Sequence, residues 1–436
     1  MFNKLFKFTQ EKTGVLYENS LILKNIDNLI FLAIGSVFVL STFMSSDTIG
    51  FAALVVAMLT FVKLLTTPGA KISCRGFEFW LLVYFMLIVI SLFGSTLFYY
   101  SFKGFTKTLT YLLFYCSTVI YLKDNREKIP FFMGLIGFCL TSQAIVGFLQ
   151  NFSHVNEIST WQDVSNLNPE QVMTRVYGTL KPFNPNLLGG YLVVGLPSLF
   201  AMTATRFYEK RIYGGLIWLC LTVLNMITIF LTGCRGAYLA MFTGVILAFG
   251  ISAKFFWNTY KKLYMGLIGG CISLITVILI TTSSLRARIF SIFAMRADSS
   301  NSFRFNVYNS SIQMFKDNWL LGIGLGNQNF REIYGLYMRT GFDALSAYNI
   351  FLETAVESGV FALIAFLGFF VSAIRDSLKF IFNSNNTRNI IFVSAALISV
   401  VSVMVHGLVD TVFFRPQLQF IFWFMVSILS VFLNEK

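Results

Sequence analysis

Long apolar stretches recur along almost the whole chain, and they limit its fold more than any other feature. About twelve of them reach roughly 20 residues, the length at which an α-helix crosses the hydrocarbon core of a bilayer. Spanning segments of this kind are helical because no backbone group can stay unpaired in lipid. The sequence therefore predicts an all-α, polytopic membrane protein. The predicted spans are 28–44, 49–66, 77–98, 104–122, 129–149, 187–204, 212–231, 236–256, 263–282, 347–374, 389–408 and 414–433.

The proportion of charged residues agrees with this class of protein. Asp, Glu, Lys and Arg make up 12 % of the 436 residues, against roughly 25 % in an average soluble domain. This composition excludes a disordered chain, a coiled coil and an ordinary cytosolic enzyme. The net charge of +13 could indicate a nucleic-acid partner in a soluble protein, but its distribution along this chain has another explanation.

Lysine and arginine concentrate in every second segment between the predicted helices. If the N-terminus lies inside, the inner segments hold most of these residues, whereas the short outer loops 45–48 and 409–413 hold none. Such an excess on the cytoplasmic side is the usual orientation signal of membrane proteins. We therefore predict a multi-pass topology with both termini cytoplasmic, and the positive charge requires no nucleic acid.

The predicted helices leave two long outer loops, and the second of these is basic. It carries seven Lys or Arg against four Asp or Glu, which runs against the orientation signal and indicates an anionic ligand at the outer face. Within it, 305–317 has the apolar spacing of a short amphipathic helix, and the glycine-rich 322–330 is predicted to lie outside the membrane. The predicted parts are a cytoplasmic N-terminus at 1–27, helices one to five at 28–149, an outer loop at 150–186, helices six to nine at 187–282, the large outer loop at 283–346 and helices ten to twelve at 347–436.

Two arginines have surroundings that suit an anion. Arg235 lies between Gly233 and Gly236 in the string LTGCRGAYLA, at a predicted tight outer turn that opens a helix. A helix N-terminus and a guanidinium fork both bind phosphate. Arg304 precedes the amphipathic stretch, where the polar run 299–302 offers an N-cap. The alternatives are an arginine that extends to the membrane interface in the first case and a surface arginine in the second.

The segment 175–192 (RVYGTLKPFNPNLLGGYL) leads into the sixth predicted span. Arg175, Lys181 and Asn186 offer hydrogen-bond donors at the outer interface, and we predict that they bind substrate. The alternative is a rigid loop that seats the helix.

The string HGLVDTVFFRP at the end of the eleventh predicted span carries another candidate pair. His406 and Asp410 are four residues apart, which would place them on one helical face. They could form a proton-relay or orienting pair. A structural link between Asp410 and Arg415 is an equally open interpretation.

Polar residues also occur at the start of the tenth predicted span, in SAYNIFLETAVESGV. Tyr348 and Asn349 come first, and Glu353 and Glu357 follow on the same predicted helix. Carboxylates inside a membrane are expensive and usually face a cavity or a partner. The alternative is that these groups hold helices together.

Three of these features together resemble the O-antigen ligase/polymerase superfamily, the Wzy_C domain. They are the arginine turn LTGCRGA, the large outer loop after the ninth span, and the segment that follows it. The family pattern there is His, then Asn, Ser or Gln, then nine residues and Gly. Tyr348, Asn349 and Gly359 match it except that tyrosine replaces histidine. Several strings are more similar to a cyanobacterial-type branch whose members are labelled putative bicarbonate transporters.

The resemblance implies a GT-C-like fold with a large helical periplasmic loop, in the plasma (inner) membrane of a bacterium. It implies a glycosyltransferase that moves glycan from a polyprenyl-diphosphate donor to a glycan or lipid acceptor at the outer face. Membrane lipids are its other partners, and neither a metal nor another cofactor is needed. In place of a metal ion, the resemblance implies that Arg235 and Arg304 hold the diphosphate leaving group.

The family histidine would activate the acceptor hydroxyl, and here that position is Tyr348. A phenol with a pKa of about 10 is a poor base at neutral pH, so Glu353, Glu357 or His406 are alternative bases. Two other functions stay open: a transporter of bicarbonate or another solute, or an accessory to one, and a membrane scaffold without catalysis. Neither inverted repeats nor paired Gly and Pro that break helices are evident, which counts against a transporter.

Overall fold

The computed structural model describes residues 19–67, 76–153, 175–290 and 299–433, with a few residues among the first eighteen. All regular secondary structure in these ranges is helical. A one-turn helix at Leu21–Lys24 precedes α1, and two 3₁₀ turns lie at Arg126–Lys128 and Val412–Phe414. The main helices are α1 (Ile26–Phe43), α2 (Ser46–Thr66), α3 (Glu78–Gly94), α4 (Phe98–Asp124), α5 (Ile129–Gln150), α6 (Pro185–Tyr208), α7 (Ile212–Leu231), α8 (Arg235–Thr281), α9 (Ser283–Phe290), α10 (Ser299–Asp317), α11 (Asn327–Tyr334), α12 (Ile350–Asn383), α13 (Thr387–Gly407) and α14 (Pro416–Leu433).

Nine helices in the described ranges are long and apolar enough to cross a membrane. The protein is therefore an all-α polytopic membrane protein, as the sequence predicts. Helix α3 is apolar but only 17 residues long, and α4 is long but carries more polar residues. The predicted spans 236–256 and 263–282 lie on one element, α8, whose two halves meet at the non-helical Tyr260. The number of twelve spans stays a prediction.

Helices α6, α13 and α14 form the interior of the bundle, and α14 is buried along almost its whole length. Aromatic rings fill much of the space around them. The ring of Phe38 on α1 packs edge-to-face against Phe114, Phe132 and Phe424, with ring centroids 6.1, 6.1 and 5.2 Å away. Edge-to-face contacts suit the quadrupoles of aromatic rings. The many phenylalanines of the chain thus tie α1, α4, α5 and α14 together.

A buried lysine joins the ends of three helices. Lys63 in the last turn of α2 is 1 % exposed, and its Nζ lies 2.8 Å from Asp27 in the first turn of α1 and 2.9 Å from Asp124 at the end of α4. The start of α1 and the ends of α2 and α4 therefore meet on one side of the bundle, the arrangement that the predicted alternation of inner and outer loops requires.

Helix α12 is broken at Gly359, where φ is +81°. The backbone N–H groups of Ile323 and Gly324 donate to the carbonyls of Val356 and Glu357, both at 2.9 Å. A Cβ at Gly359 would collide with the carbonyl oxygen of Leu320, so only glycine fits this position. The sequence shows no paired Gly and Pro at this break. A single glycine suffices, because the inserted segment replaces the lost helical hydrogen bonds.

The inserted segment is the glycine-rich stretch that the sequence predicts to lie outside the membrane. It is seated against the adjoining ends of α3 and α4. Ser95 donates from Oγ to the carbonyl of Ile323 at 2.8 Å, and Oγ of Ser101 accepts from the N–H of Leu325 at 3.0 Å. The start of this stretch is thus packed between helices, and it positions the first half of α12.

Candidate functional site

The candidate site lies at the end of the bundle opposite the Lys63 cluster. Helix α5 begins a few residues after Asp124, on the side where Lys63 lies, and its last residue, Gln150, contacts the segment that leads into α6. Five separate parts of the chain meet at this end. They are the segment 175–186 before α6, the turn 232–235 before α8, Arg304 on α10, the loop 346–349 before α12 and residues 406–411 at the end of α13.

A continuous polar chain connects two of the predicted arginines through one carboxylate. Arg175 donates from Nη2 to Oδ1 of Asn186 at 2.5 Å, and Asn186 donates from Nδ2 to Oδ2 of Asp410 at 2.9 Å. The same Oδ2 lies 3.6 Å from Nη2 of Arg304. The structure thus brings together four predicted site residues that are far apart in the sequence.

The backbone at the end of α13 orients the Asp410 carboxylate. Its Oδ1 accepts from the N–H groups of Thr411 at 2.7 Å and Val412 at 3.1 Å. The side chain is 5 % exposed. Both carboxylate oxygens therefore have donors, and Asp410 serves as the centre of the network. The partner of this carboxylate is Arg304 rather than Arg415, the other possibility that the sequence left open.

Arg235 lies next to this network. It is the first residue of α8, after a tight turn in which Gly233 has a φ of +63°. The prediction that Arg235 opens a helix after a sharp turn is confirmed. The side chain of Arg175 donates to the carbonyl of Thr232 in this turn at 2.8 Å. Burial lowers the pKa of Arg175, and the positive charge of Arg235 lowers that pKa further.

The helix that carries Arg304 begins earlier than the predicted start at residue 305. Helix α10 spans Ser299–Asp317, so Arg304 lies in its second turn and the polar run 299–302 is part of the helix instead of preceding it. Phe303, which precedes the predicted start, packs against the buried cluster that contains Val307 and Val356. This contact favours the longer helix, since tertiary packing overrides weak local propensity. Arg304 therefore contributes its side chain to the site but no helix N-terminus.

Tyr348 lies in the loop before α12, with a φ of +51°. It was predicted to lie on the helix, but α12 begins only at Ile350. The guanidinium carbon of Arg304 is 6.0 Å from the centroid of its ring. Burial raises the pKa of Tyr348 to about 12, and the negative charge of Asp410 contributes to the rise. Its phenol is therefore neutral at physiological pH.

Asn349 and Glu353 shape the loop around Tyr348. Asn349 is the N-cap of α12, and its Oδ1 accepts from the N–H groups of Phe351 at 2.9 Å and Leu352 at 3.0 Å. Glu353 is 1 % exposed, and its Oε2 accepts from the N–H of Ala347 at 3.1 Å. Both side chains bind backbone groups in this conformation. This agrees better with a role in holding the structure together than with a role in facing a cavity or a partner.

Glu357 has a similar role further along α12. Its Oε1 accepts from the N–H of Gly326 at 2.7 Å. This bond anchors the segment that fills the break at Gly359.

His406 is buried at this end of the bundle, between two glycines. A Cβ on Gly190 or Gly236 would lie 3.3 or 3.1 Å from its ring, so these glycines allow α6 and α8 to approach it. Its Nε2 lies 3.6 Å from Sγ of Cys234. Helix α13 ends at Gly407, and Asp410 lies beyond it. The expectation that His406 and Asp410 share a helical face was therefore wrong, although both belong to this region.

Lys181 is held through its backbone. Its carbonyl accepts from Nε2 of Gln417 at 3.1 Å, whereas the residue as a whole is exposed. The structure therefore leaves the Lys181 ammonium at the surface, apart from the buried Asp410 network.

Three residues that the sequence did not single out support the site. The hydroxyl of Tyr308 donates to the carbonyl of Tyr348 at 3.2 Å. Gln143 and Gln150 on α5 accept from the N–H groups of Thr179 and Gly178, both at 2.8 Å. The two glutamines could have been found, because polar side chains in an apolar helix usually have a partner inside the protein. They are also seven residues apart, which places them on one face of α5.

Within the described ranges, no three His, Cys, Asp or Glu side chains form a group that could hold a metal ion.

No curated protein matches the chain. Residues 219–367 match the Wzy_C family model, described as O-Antigen ligase. The further resemblance to bicarbonate transporters has no support from a relative. The matched part includes Arg235, Arg304 and Tyr348, whereas Arg175 and Asp410 lie outside it. Roughly a third of the chain, from α7 into α12, is thus similar to the O-antigen ligase family.

Proposed function

We propose that this protein is a membrane glycosyltransferase of the O-antigen ligase type. It moves glycan from a polyprenyl-diphosphate donor to a glycan or lipid acceptor at the outer face of a bacterial plasma membrane. The observation that carries the proposal is the convergence of Arg304 and, through Asn186, Arg175 on the carboxylate of Asp410, with Arg235 close to Arg175. The similarity of residues 219–367 to the O-antigen ligase family supports the same activity.

The charge balance of the site suits a diphosphate. Arg304 and Arg175 share the one carboxylate of Asp410, and Arg235 lies close to Arg175, so the network retains a positive surplus in a largely buried setting. Guanidinium forks match phosphate oxygens in geometry and bind them through paired hydrogen bonds. A diphosphate offers enough oxygens for several arginines at once, whereas a small anion such as bicarbonate does not.

The long contact between Arg304 and Asp410 adds to this argument. Charge-assisted hydrogen bonds usually measure roughly 2.7–2.9 Å, but these two groups are 3.6 Å apart. The Arg304 side chain is also 17 % exposed. Its guanidinium can therefore turn from the carboxylate to an incoming phosphate without losing a short bond.

In the proposed reaction, the acceptor hydroxyl oxygen attacks the anomeric carbon of the donor sugar. The bond from that carbon to the phosphate oxygen breaks, and polyprenyl diphosphate leaves with the electron pair. Negative charge therefore grows on the diphosphate, where the arginines are already in place. Groups oriented in advance toward a developing charge lower the barrier because they need no reorganisation during the reaction. We propose that this electrostatic role needs no metal ion.

Tyr348 acts as a hydrogen-bond donor in this mechanism and not as a base. With its pKa raised to about 12, the phenol keeps its proton at neutral pH. It can donate that proton in a hydrogen bond to an oxygen of the donor while Arg304 lies near its ring. The proton of the acceptor then passes to another base, for which we propose His406 because its ring lies beside Cys234, the residue before Arg235.

We further propose twelve spans with both termini cytoplasmic, which places the arginine network at the outer face. The clustering of Asp27, Lys63 and Asp124 at the other end supports the predicted up-and-down alternation of the first four helices. The alternative function, a transporter of bicarbonate or another solute, has no comparable structural support in the described residues. The carbonyls freed by the break at Gly359 already accept from Ile323 and Gly324, so they do not form an open cation site.

The test is transfer from an undecaprenyl-diphosphate-linked oligosaccharide by the purified full chain, measured as release of undecaprenyl diphosphate. We expect Arg235→Ala and Arg304→Ala each to reduce the rate by at least about 100-fold. The control is Arg331→Ala, which removes an exposed arginine that pairs with Asp343 at 2.7 Å elsewhere in the predicted large outer loop. Normal transfer by both site variants would overturn the proposal.

A further inference from the structure

The segment that carries Arg175 and Asn186 forms a closed loop with aromatic residues beside its base. The hydrogen bond between these two side chains joins the ends of the loop. Just inside it, the rings of Tyr177 and Phe183 lie 6.2 Å apart at an angle of 73°. Consecutive residues advance by at most about 3.6 Å, so Tyr177 lies within two residue lengths of Arg175. The aromatic pair is therefore an immediate neighbour of the proposed phosphate site.

Side chains from two helices hold this loop in place. Gln150 on α5 accepts at Oε1 from the N–H groups of Tyr177 at 3.1 Å and Gly178 at 2.8 Å. Gln417 on α14 donates from Nε2 to the carbonyl of Lys181 at 3.1 Å. The aromatic rings are therefore presented by a fixed backbone.

Phe183 remains exposed despite this anchoring. It is 51 % exposed, and its φ of +37° lies in a region that bulky side chains rarely adopt. Strained residues of this kind persist where the surroundings hold them, and they are common at ligand sites. Lys181 and Asn184 are also exposed next to it, so the ring has polar groups along its edge.

An aromatic face with a polar rim matches the chemistry of a sugar ring. The C–H face of a pyranose is apolar and packs on an aromatic ring, while its hydroxyls bind polar groups at the edge. Binding sites in general combine apolar and aromatic walls with a few placed polar groups. The sugar that is bonded directly to a diphosphate must also lie next to the phosphate-binding side chains.

We infer that Tyr177 and Phe183 form a platform that binds the first sugar of the polyprenyl-diphosphate donor. This inference rests on the proposed function and adds to it a site for the saccharide. The competing role for Phe183 is an anchor at the membrane interface, where aromatic residues are also enriched.

The experiment compares two ligands on the full chain in lipid nanodiscs: undecaprenyl diphosphate, and the same lipid carrying an oligosaccharide. For Phe183→Ala we expect about 3- to 10-fold weaker binding of the sugar-bearing lipid, the range expected for one lost aromatic contact. Binding of undecaprenyl diphosphate alone should not change. Phe183→Trp should bind the sugar-bearing lipid as the wild type does.

The control is Phe93→Ala. Phe93 is 75 % exposed and pairs with Phe98, with ring centroids 6.3 Å apart, but it lies on α3 and not on the loop closed by Arg175 and Asn186. This substitution should leave the binding of both lipids unchanged.

Three results would overturn the inference. Equal weakening for both lipids in Phe183→Ala would show that the residue only holds the loop. Unchanged binding of both lipids would leave the interface anchor as its role. If the wild type binds neither lipid, the proposed function itself fails, and the platform with it.

Discussion

Two charge clusters lie at opposite ends of the bundle, each around a buried central group, and they differ in how their charges are balanced. At one end, the single cation of Lys63 meets two carboxylates at 2.8 and 2.9 Å. At the other end, the single carboxylate of Asp410 meets Arg304 at 3.6 Å and, through Asn186, Arg175. Helix α5, with 22 residues, separates the two ends by about 33 Å.

The difference indicates which cluster can take a ligand. Lys63 has short contacts to both partners and an excess of negative charge around it, so another anion gains nothing there. The Asp410 network has an excess of positive charge, and the contact to Arg304 is long. A buried ion cluster with short contacts holds helices together, whereas one with a surplus of one sign and a long contact can bind the opposite charge. Matched substitutions at the two ends test this distinction.

The largest effect is expected for Arg304→Met. Removing this guanidinium should lower the transfer rate by about 100- to 1,000-fold, since it withdraws one oriented donor from the leaving group. The thermal midpoint of unfolding should hardly change, because the contact that is lost is long. Rate and midpoint should be measured on the same detergent-purified sample. A large drop in the midpoint would mean that the two clusters do not differ as argued.

Lys63→Met should show the opposite pattern. Asp27 and Asp124 would lose a partner that is buried against them, so we expect a loss of about 2 kcal/mol in the free energy of unfolding. This loss of unfolding free energy is smaller than for a fully buried ion pair, because the two carboxylates are 43 % and 61 % exposed. The fraction that stays folded should transfer glycan at the wild-type rate. A catalytic defect in folded Lys63→Met would contradict the assignment of this cluster to the scaffold.

Local chemistry made part of the site predictable. The turn at Arg235 could be predicted because glycines on both sides of an arginine signal a sharp reversal and a helix start. The position of Arg304 within α10 could not, because Phe303, near the start of that helix, packs against residues that are distant in the sequence. The link from Asn186 to Asp410 joins residues 224 positions apart, and no local pattern contains that information.

The fold likewise has features that follow from local sequence and features that depend on contacts between distant residues. The apolar runs predict the membrane helices well, since the required length and polarity follow from the bilayer. The break at Gly359 escaped prediction, because an isolated glycine is tolerated inside an apolar helix. Only the segment 319–324, which supplies new hydrogen-bond donors to Val356 and Glu357, turns that glycine into a break.

A smaller effect is expected for Asp410→Asn. This change keeps a side-chain oxygen for the N–H groups of Thr411 and Val412 but removes the one negative charge of the network. The positive surplus then grows, so the donor should bind more tightly. The turnover number should fall by about 10-fold, because Arg304 and Asn186 lose the charge that orients them. Steady-state kinetics with varied donor should show a lower KM and a lower kcat. An increase in KM would mean that Asp410 contacts the donor directly.

The smallest effect is expected for Tyr348→Phe, which removes only the phenolic hydroxyl. One hydrogen bond to the donor should be lost, so the rate should fall by about 3- to 10-fold. Because the pKa of Tyr348 is raised to about 12, the wild-type phenol stays protonated throughout roughly pH 6 to 9. The pH–rate profiles of the two proteins should therefore run parallel over that range, with any inflection arising from another group such as His406. An inflection that disappears in Tyr348→Phe would mean that the phenol titrates and acts as the base, and the role of Tyr348 as a neutral donor beside the arginines would then be wrong.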